Sequence, residues 1–171
     1  MADKHLITAQ RLRELLNYDP ETGIFTWHIL PTRGNARLNP EQAGGKDRKG
    51  HIRICINQKY YAAHRLAWLY IHDEWPSKDI DHHNGIPSDN RIVNLREATS
   101  QENRFNEKLR SSNTSGYKGV LRHPQTGRWR ASIWINYKRI HLGYFATAEE
   151  AAAAYNEAAA GYHGEFYRDT R

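Results

Sequence analysis

The sequence holds a single cysteine, Cys55, which excludes a disulfide within the chain and any cysteine-rich zinc site. No apolar run approaches the roughly 18 residues that span a bilayer, and the mean hydropathy of −0.87 is too polar for a membrane protein. Residues 1–15 lack the apolar core of a signal peptide and read as a charged helix. These absences lead to the expectation of a cytosolic protein with no membrane partner. Disorder is excluded as well, because aromatic residues make up 11% of the chain. At 171 residues there is room for one ordinary domain or two small ones.

Charge of one sign is in excess. Lys and Arg total 25 against 19 Asp and Glu, a formal net charge of +6, with a pI near 9.5. Such a balance favours a polyanionic partner, because each phosphate neutralised releases condensed counterions.

Hydrophobic spacing divides the chain. His5 to Leu16 carries a helical stripe, Asn17 to Gly23 reads as a turn, and Ile24 to Ile29 as a short strand. Residues 31–50, rich in Gly and Pro, read as loop. Ile52, Ile54 and Ile56 alternate with Arg53 and Cys55 and predict a hairpin returning through Tyr60 to Ala62. A helix follows over His64 to His72, with Pro76 as its stop. The polar segment 108–115 is the expected linker between a domain at 1–107 and another at 116–171.

Chemistry concentrates between Ile80 and Asn106, IDHHNGIPSDNRIVNLREATSQENRFN. Asp81-His82 ends a strand-like stretch, Asn84-Gly85 turns, and Ile92 to Leu95 returns as a strand. Thr99 and Glu102 have the spacing of a capping box, which starts a helix carrying Asn103. Phosphodiester cleavage needs a base that titrates near neutrality and a positive centre on the phosphate. His82 suits the first role; the oxygens of Asp81 and Asn103 suit Mg2+, which takes few protein ligands.

This segment resembles the HNH nuclease motif, in the phage and homing-endonuclease branch whose third His is an Asn. YDPETGIFTW (18–27) and YYAAHRLAWLY (60–70) resemble that branch too. The resemblance implies a ββα-metal core with His82 as general base, Asn94 bracing the loop that holds it, and Asp81 and Asn103 as metal ligands. His83 departs from the pattern, where a hydrophobic residue is usual. The implied activity is metal-dependent endonucleolytic hydrolysis of double-stranded DNA, by nicking, from a monomer with one bound Mg2+ or Mn2+. If phage-encoded, the protein would act in the cytoplasm of a bacterial host. The alternative is a non-catalytic DNA-binding regulator built on a decayed nuclease fold.

Beyond the linker, Tyr117 to Leu121, Arg128 to Ile135 and Arg139 to Phe145 read as three strands, with Asn136-Tyr137-Lys138 as one of the turns between them. Thr147 opens an alanine-rich helix with Glu149 and Glu150 in its first turn. Along the middle strand Arg128, Arg130, Ser132 and Trp134 share one face and Trp129, Ala131, Ile133 and Ile135 the other. The helix can cover only the apolar face, which leaves the basic, aromatic face open. SGYKGV, RWRASIWI and LGYFATAEEAAAAYNEAA resemble the plant ethylene-response-factor type of DNA-binding domain, over roughly residues 113–168. That resemblance implies a three-stranded antiparallel sheet packed on one helix and lying in the major groove. Its DNA-facing positions fall at Lys118, Arg128, Ser132, Trp134, Arg139 and His141; Arg130 joins them by strand alternation. The whole chain is thus expected to be α+β.

Overall fold

The computed structural model describes residues 7–29, 39, 41–106, 109, 112–135 and 138–166. By contacts the chain divides into two units, Met1–Thr99 and Ser100–Arg171, and each has its own hydrophobic core.

The first unit begins with helix α1 (Ala9–Leu15), whose N-cap Thr8 accepts a hydrogen bond from the Arg11 amide. The chain passes directly into a hairpin, β1 (Leu16–Asp19) with β2 (Ile24–Trp27). Here the structure differs from the sequence reading: Asn17 to Asp19 is strand rather than turn. The alternation there is only four residues long, and its partner strand supplies the order that local propensity lacks. Next comes a three-stranded antiparallel sheet of β3 (Gly45–Lys46), β4 (Ile52–Ile56) and β5 (Lys59–Ala62). The alternation along β4 is realised, with Ile52, Ile54 and Ile56 buried and Arg53 and Cys55 exposed. Positions 31–38 and 40 of the predicted 31–50 loop lie outside the described residues, as does the start of the predicted first helix.

Helix α2 (Ala63–His72) packs Leu66, Ala67 and Leu69 into the core. It ends at Asp73, in the left-handed conformation, before Pro76 is reached. Two antiparallel strands, β6 (Asp79–His82) and β7 (Leu95–Ala98), complete the unit. Between them Ile92–Asn94 forms a 3-10 turn where the sequence predicts strand.

The glycine at position 23 shows why the first hairpin lies where it does. Gly23 has φ +73°, and a Cβ there would stand 2.4 Å from the Arg91 amide nitrogen. The hairpin turn therefore packs backbone to backbone against the loop between β6 and β7. The Ile92 amide donates to the Pro20 carbonyl at 3.2 Å, and the Tyr18 hydroxyl donates to the Asn90 carbonyl at 2.7 Å.

In the second unit, helix α3 (Ser100–Asn106) follows Thr99, where a helix start is expected. Contacts group α3 with this unit, although the sequence reading assigns it to the first domain. Part of the expected linker is a hydrogen-bonded turn rather than a slack tether. Asn113 accepts from the Gly116 amide at 2.7 Å and donates to the Tyr117 carbonyl at 3.0 Å; residues 108, 110 and 111 lie outside the described set. The antiparallel sheet follows, in spatial order β10 (Lys138–Phe145), β9 (Trp129–Ile135), β8 (Val120–Arg122). Of the predicted turn before β10, positions 136 and 137 are undescribed. Helix α4 (Ala148–His163) starts with a full capping box between Thr147 and Glu150. Ala151 and Ala152 pack on Val120 and Ala131, and side chains this small let the helix lie close to the sheet.

Gly23→Ala tests the hairpin contact. The substitution combines a left-handed backbone with a clash against backbone, so it is expected to cost about 1–3 kcal/mol or more. Denaturant unfolding measures it; an unchanged midpoint would refute the close approach.

Candidate nucleic-acid interface

In the first unit the structure brings Asp81, His82 and Asn94 together around one loop. Asn94, at the end of the 3-10 turn, accepts from the Asn84 amide at 2.9 Å and donates to the Asp89 carbonyl at 2.8 Å. Its own carbonyl accepts from the His83 amide at 2.9 Å. The His82 ring is buried, and its Nε2 meets Asn90 Oδ1 at 3.2 Å. An oxygen acceptor there requires the proton to sit on Nε2. Burial pulls the His82 pKa below its ordinary value, and the Asn90 hydrogen bond opposes that shift. Asn90, only 2% exposed, is a site residue that the sequence reading missed. It lies in a turn whose asparagines look alike in sequence, and only the fold shows which one faces the imidazole.

Asp81 sits directly across from Arg96 in the β6–β7 register. Its Oδ2 accepts from Arg96 Nε at 2.9 Å and Nη2 at 2.8 Å, and both side chains are largely buried. The carboxylate expected to hold Mg2+ thus already faces a guanidinium. Asn103, the second expected ligand, belongs to the other unit. Among the described residues, no group of three or more His, Cys, Asp or Glu side chains is placed to hold a metal ion. Among the described residues of the first unit, Asp81 faces Arg96 and His82 faces Asn90, a set that does not by itself fit a resident divalent cation.

Close to His82 lies a second imidazole. The His64 ring centroid is 5.1 Å from that of His82 and 5.4 Å from that of His51. Its Nδ1 is buried without a hydrogen-bond partner. Burial, reinforced by His82 and His51, pushes the His64 pKa down to about 3.

The second unit presents a different surface. Since α4 covers the side bearing Ala131, the opposite face carries rows set by the strand register: Leu121, Arg130 and Tyr144; Ser132 and His141; Trp134 and Arg139. Trp134 is 59% exposed, unusual for so large an aromatic ring. Arg139 Nε donates to Ser132 Oγ at 3.2 Å, which helps bury Ser132. Arg130 Nε is buried without an acceptor. Arg128, just before β9, donates to the Tyr144 carbonyl at 3.0 Å, and Lys118 Nζ donates to the Phe105 carbonyl at 3.0 Å.

Tyr144 was not anticipated. Simple alternation from Arg139 and His141 points to position 143, but a β-bulge between His141 and Gly143 shifts the phase by one residue. His141 and Tyr144 consequently share the face, with ring centroids 4.8 Å apart, and His123 meets Tyr144 at 5.3 Å. Gly143 inside the strand was the available signal, because an interior glycine often marks a bulge. Charge is segregated across the unit: from Lys108 to Ala148 the sequence contains no Asp or Glu, whereas α4 carries Glu149, Glu150 and Glu157.

Two family profiles match the chain, HNH endonuclease over residues 61–105 and AP2 domain over residues 115–165. Among curated proteins it is similar to the AP2-like ethylene-responsive transcription factor AIL7 of Arabidopsis thaliana, 39% identical over 52% of this chain and 16% of the relative. It is 34% identical to the ethylene-responsive transcription factor WRI1 of the same plant, over 81% of this chain and 30% of the relative. APETALA2-like protein 2 of Oryza sativa subsp. indica is 45% identical over 31% of this chain and 12% of the relative. The chain thus spans less than a third of the length of these relatives. The relatives correct the expectation of an enzyme: AIL7 and WRI1 are transcription factors, a non-enzymatic class, and they outweigh the short HNH match. They are plant proteins and lend no support to a phage or bacterial setting. Among the described residues no helix is long and apolar enough to cross a membrane.

The histidine cluster makes a pH prediction. Folded His64 stays neutral until the pH nears 3, whereas in the unfolded chain it titrates near the ordinary value of about 6.5. On acidification the unfolded state gains a proton that the folded state does not, so stability falls as pH drops below about 6.5. One such proton corresponds to ~1.4 kcal/mol per pH unit, and His82, shifted the same way, adds to it. His64→Gln should flatten this dependence in denaturant titrations between roughly pH 7 and 4. An unaltered slope would mean that His64 is not buried in its neutral form.

Proposed function

We propose that the chain is a DNA-binding regulator whose second unit reads duplex DNA with the open face of its three-stranded sheet. The single observation that carries this reading is the charge and shape of that face. It combines cations (Arg130 and Arg139), a flat exposed ring (Trp134) and hydrogen-bonding tips (Ser132, His141 and Tyr144) on a sheet backed by one helix. A two- or three-stranded sheet fits the width of a major groove. Arginine recognises guanine through paired donors, and an exposed aromatic ring makes apolar contact with base edges or sugars. Similarity to transcription factors carrying AP2-type domains supports the same reading.

The first unit fits a non-catalytic role beside it. Asp81 is neutralised by Arg96 and the His82 ring is held inside the loop by Asn90, so the HNH-like segment serves as a stable scaffold. Asn94 and Asn90 are positioning residues for that loop.

Selection from random-sequence duplexes by the full chain is expected to yield a defined motif. On that motif Arg139→Ala and Trp134→Ala should each weaken binding by about 5- to 100-fold, the range of ~1–3 kcal/mol for a base contact. Tyr144→Ala should weaken it too, as the bulge puts that ring on the reading face. Absence of any selected motif, or full affinity in all three variants, would overturn the proposal.

A further inference from the structure

The second unit contains a cleft of about 520 Å³ that the AP2-type match does not account for. Its lining includes Arg104, Lys118, Ser132, Trp134, Arg139 and Tyr155. Among the described residues no carboxylate lines it, and three cations converge there. Arg104 comes from the last turn of α3 and is exposed; it lies outside the matched 115–165 segment. The other lining residues come from positions 109 and 112, the turn before β8, β8, β9, β10 and α4.

Two contacts hold this arrangement in place. The Lys118 ammonium reaches the Phe105 carbonyl near the carboxyl end of α3 at 3.0 Å, which ties that helix to the start of β8. On the other side, Tyr155 of α4 presses against Gly119, where a Cβ would stand 2.2 Å from the ring. The backbone at 119 can be this close to the ring only because it is glycine, and the close approach forms one wall of the cleft.

We propose that this cleft binds a phosphate of the DNA backbone flanking the bases read by the sheet, with Arg104 as its added cation. The inference rests on the sheet-reading function above and extends it: the DNA-contacting surface begins at α3, some ten residues before the AP2-type match. Charge complementarity identifies the occupant. A phosphodiester is anionic at every pH of interest, and a site with Arg104, Lys118 and Arg139, and no acid among its described lining residues, favours it. Ser132 supplies a hydroxyl, and the Trp134 ring offers a flat wall for the sugar. Such a contact adds affinity and register without reading sequence.

The test uses the full chain and a selected duplex, with EDTA present throughout. Affinity is measured across salt for the parent, Arg104→Gln, Arg104→Lys and Tyr144→Ala, on duplexes shortened stepwise from each end. The expected result is that Arg104→Gln lowers the log–log salt slope by about one unit on the long duplex, while Arg104→Lys keeps it. Shortening one end past the flanking phosphate should remove one unit from the parent slope and nothing further from the Arg104→Gln slope. The selected motif should be the same for the parent and both Arg104 variants. An unchanged slope in Arg104→Gln, alongside weakened binding in Tyr144→Ala, whose ring does not line the cleft, would overturn the flanking-phosphate site and leave sheet reading intact. Loss of effect in Tyr144→Ala as well would overturn the sheet reading itself. Circular dichroism of each variant separates misfolding from lost contact, and Arg104→Lys supplies a folded, charge-preserving control.

Discussion

A single helix can cover only one side of a three-stranded sheet, and the second unit is arranged around that constraint. Because α4 packs on Val120 and Ala131, strand alternation sends Arg130, Ser132 and Trp134 to the opposite side. The same division sorts charge, with acids on α4 and an acid-free run from Lys108 to Ala148. Burial of the apolar face stabilises the fold, and the face left open is therefore free to be basic and aromatic. The residues that hold the helix thereby fix the direction of Arg130, Ser132 and Trp134.

In the first unit the corresponding constraint is the loop between β6 and β7. Backbone contact from Gly23, the Tyr18 hydroxyl on Asn90, and the Asn94 side chain across Asn84 and Asp89 all converge on it. The loop is consequently rigid, with its imidazole turned inward and its aspartate paired to Arg96. Rigid loops of this type serve equally well to organise a reaction or simply to hold a shape. Here the partners of Asp81 and His82 are protein groups, which agrees with a structural use.

Much of this was legible in the sequence wherever periodicity was long enough to be unambiguous. The Ile52-Ile54-Ile56 alternation, the α2 stripe, the alanine-rich α4 and the two faces of β9 all appear where the spacing puts them. The misreadings have local causes. Asn17 to Asp19 is too short to declare itself a strand without its partner, and Ile92 to Asn94 looks like strand but closes as a 3-10 turn under Asn94. A one-residue bulge hid Tyr144, since it reverses the alternation without changing composition. The pairing of Asp81 with Arg96 and of His82 with Asn90 depends on register and loop path, which no spacing rule encodes. For that reason the motif, read in one dimension, does not disclose that Asp81 meets Arg96 and His82 meets Asn90.

The most direct measurement is made on a supercoiled plasmid carrying the selected DNA site, incubated with the full chain in Mg2+ and in EDTA. Sheet reading without cleavage predicts equal binding in both and a plasmid that stays supercoiled. Open circles that accumulate in Mg2+, vanish in EDTA and are lost in His82→Ala would contradict it.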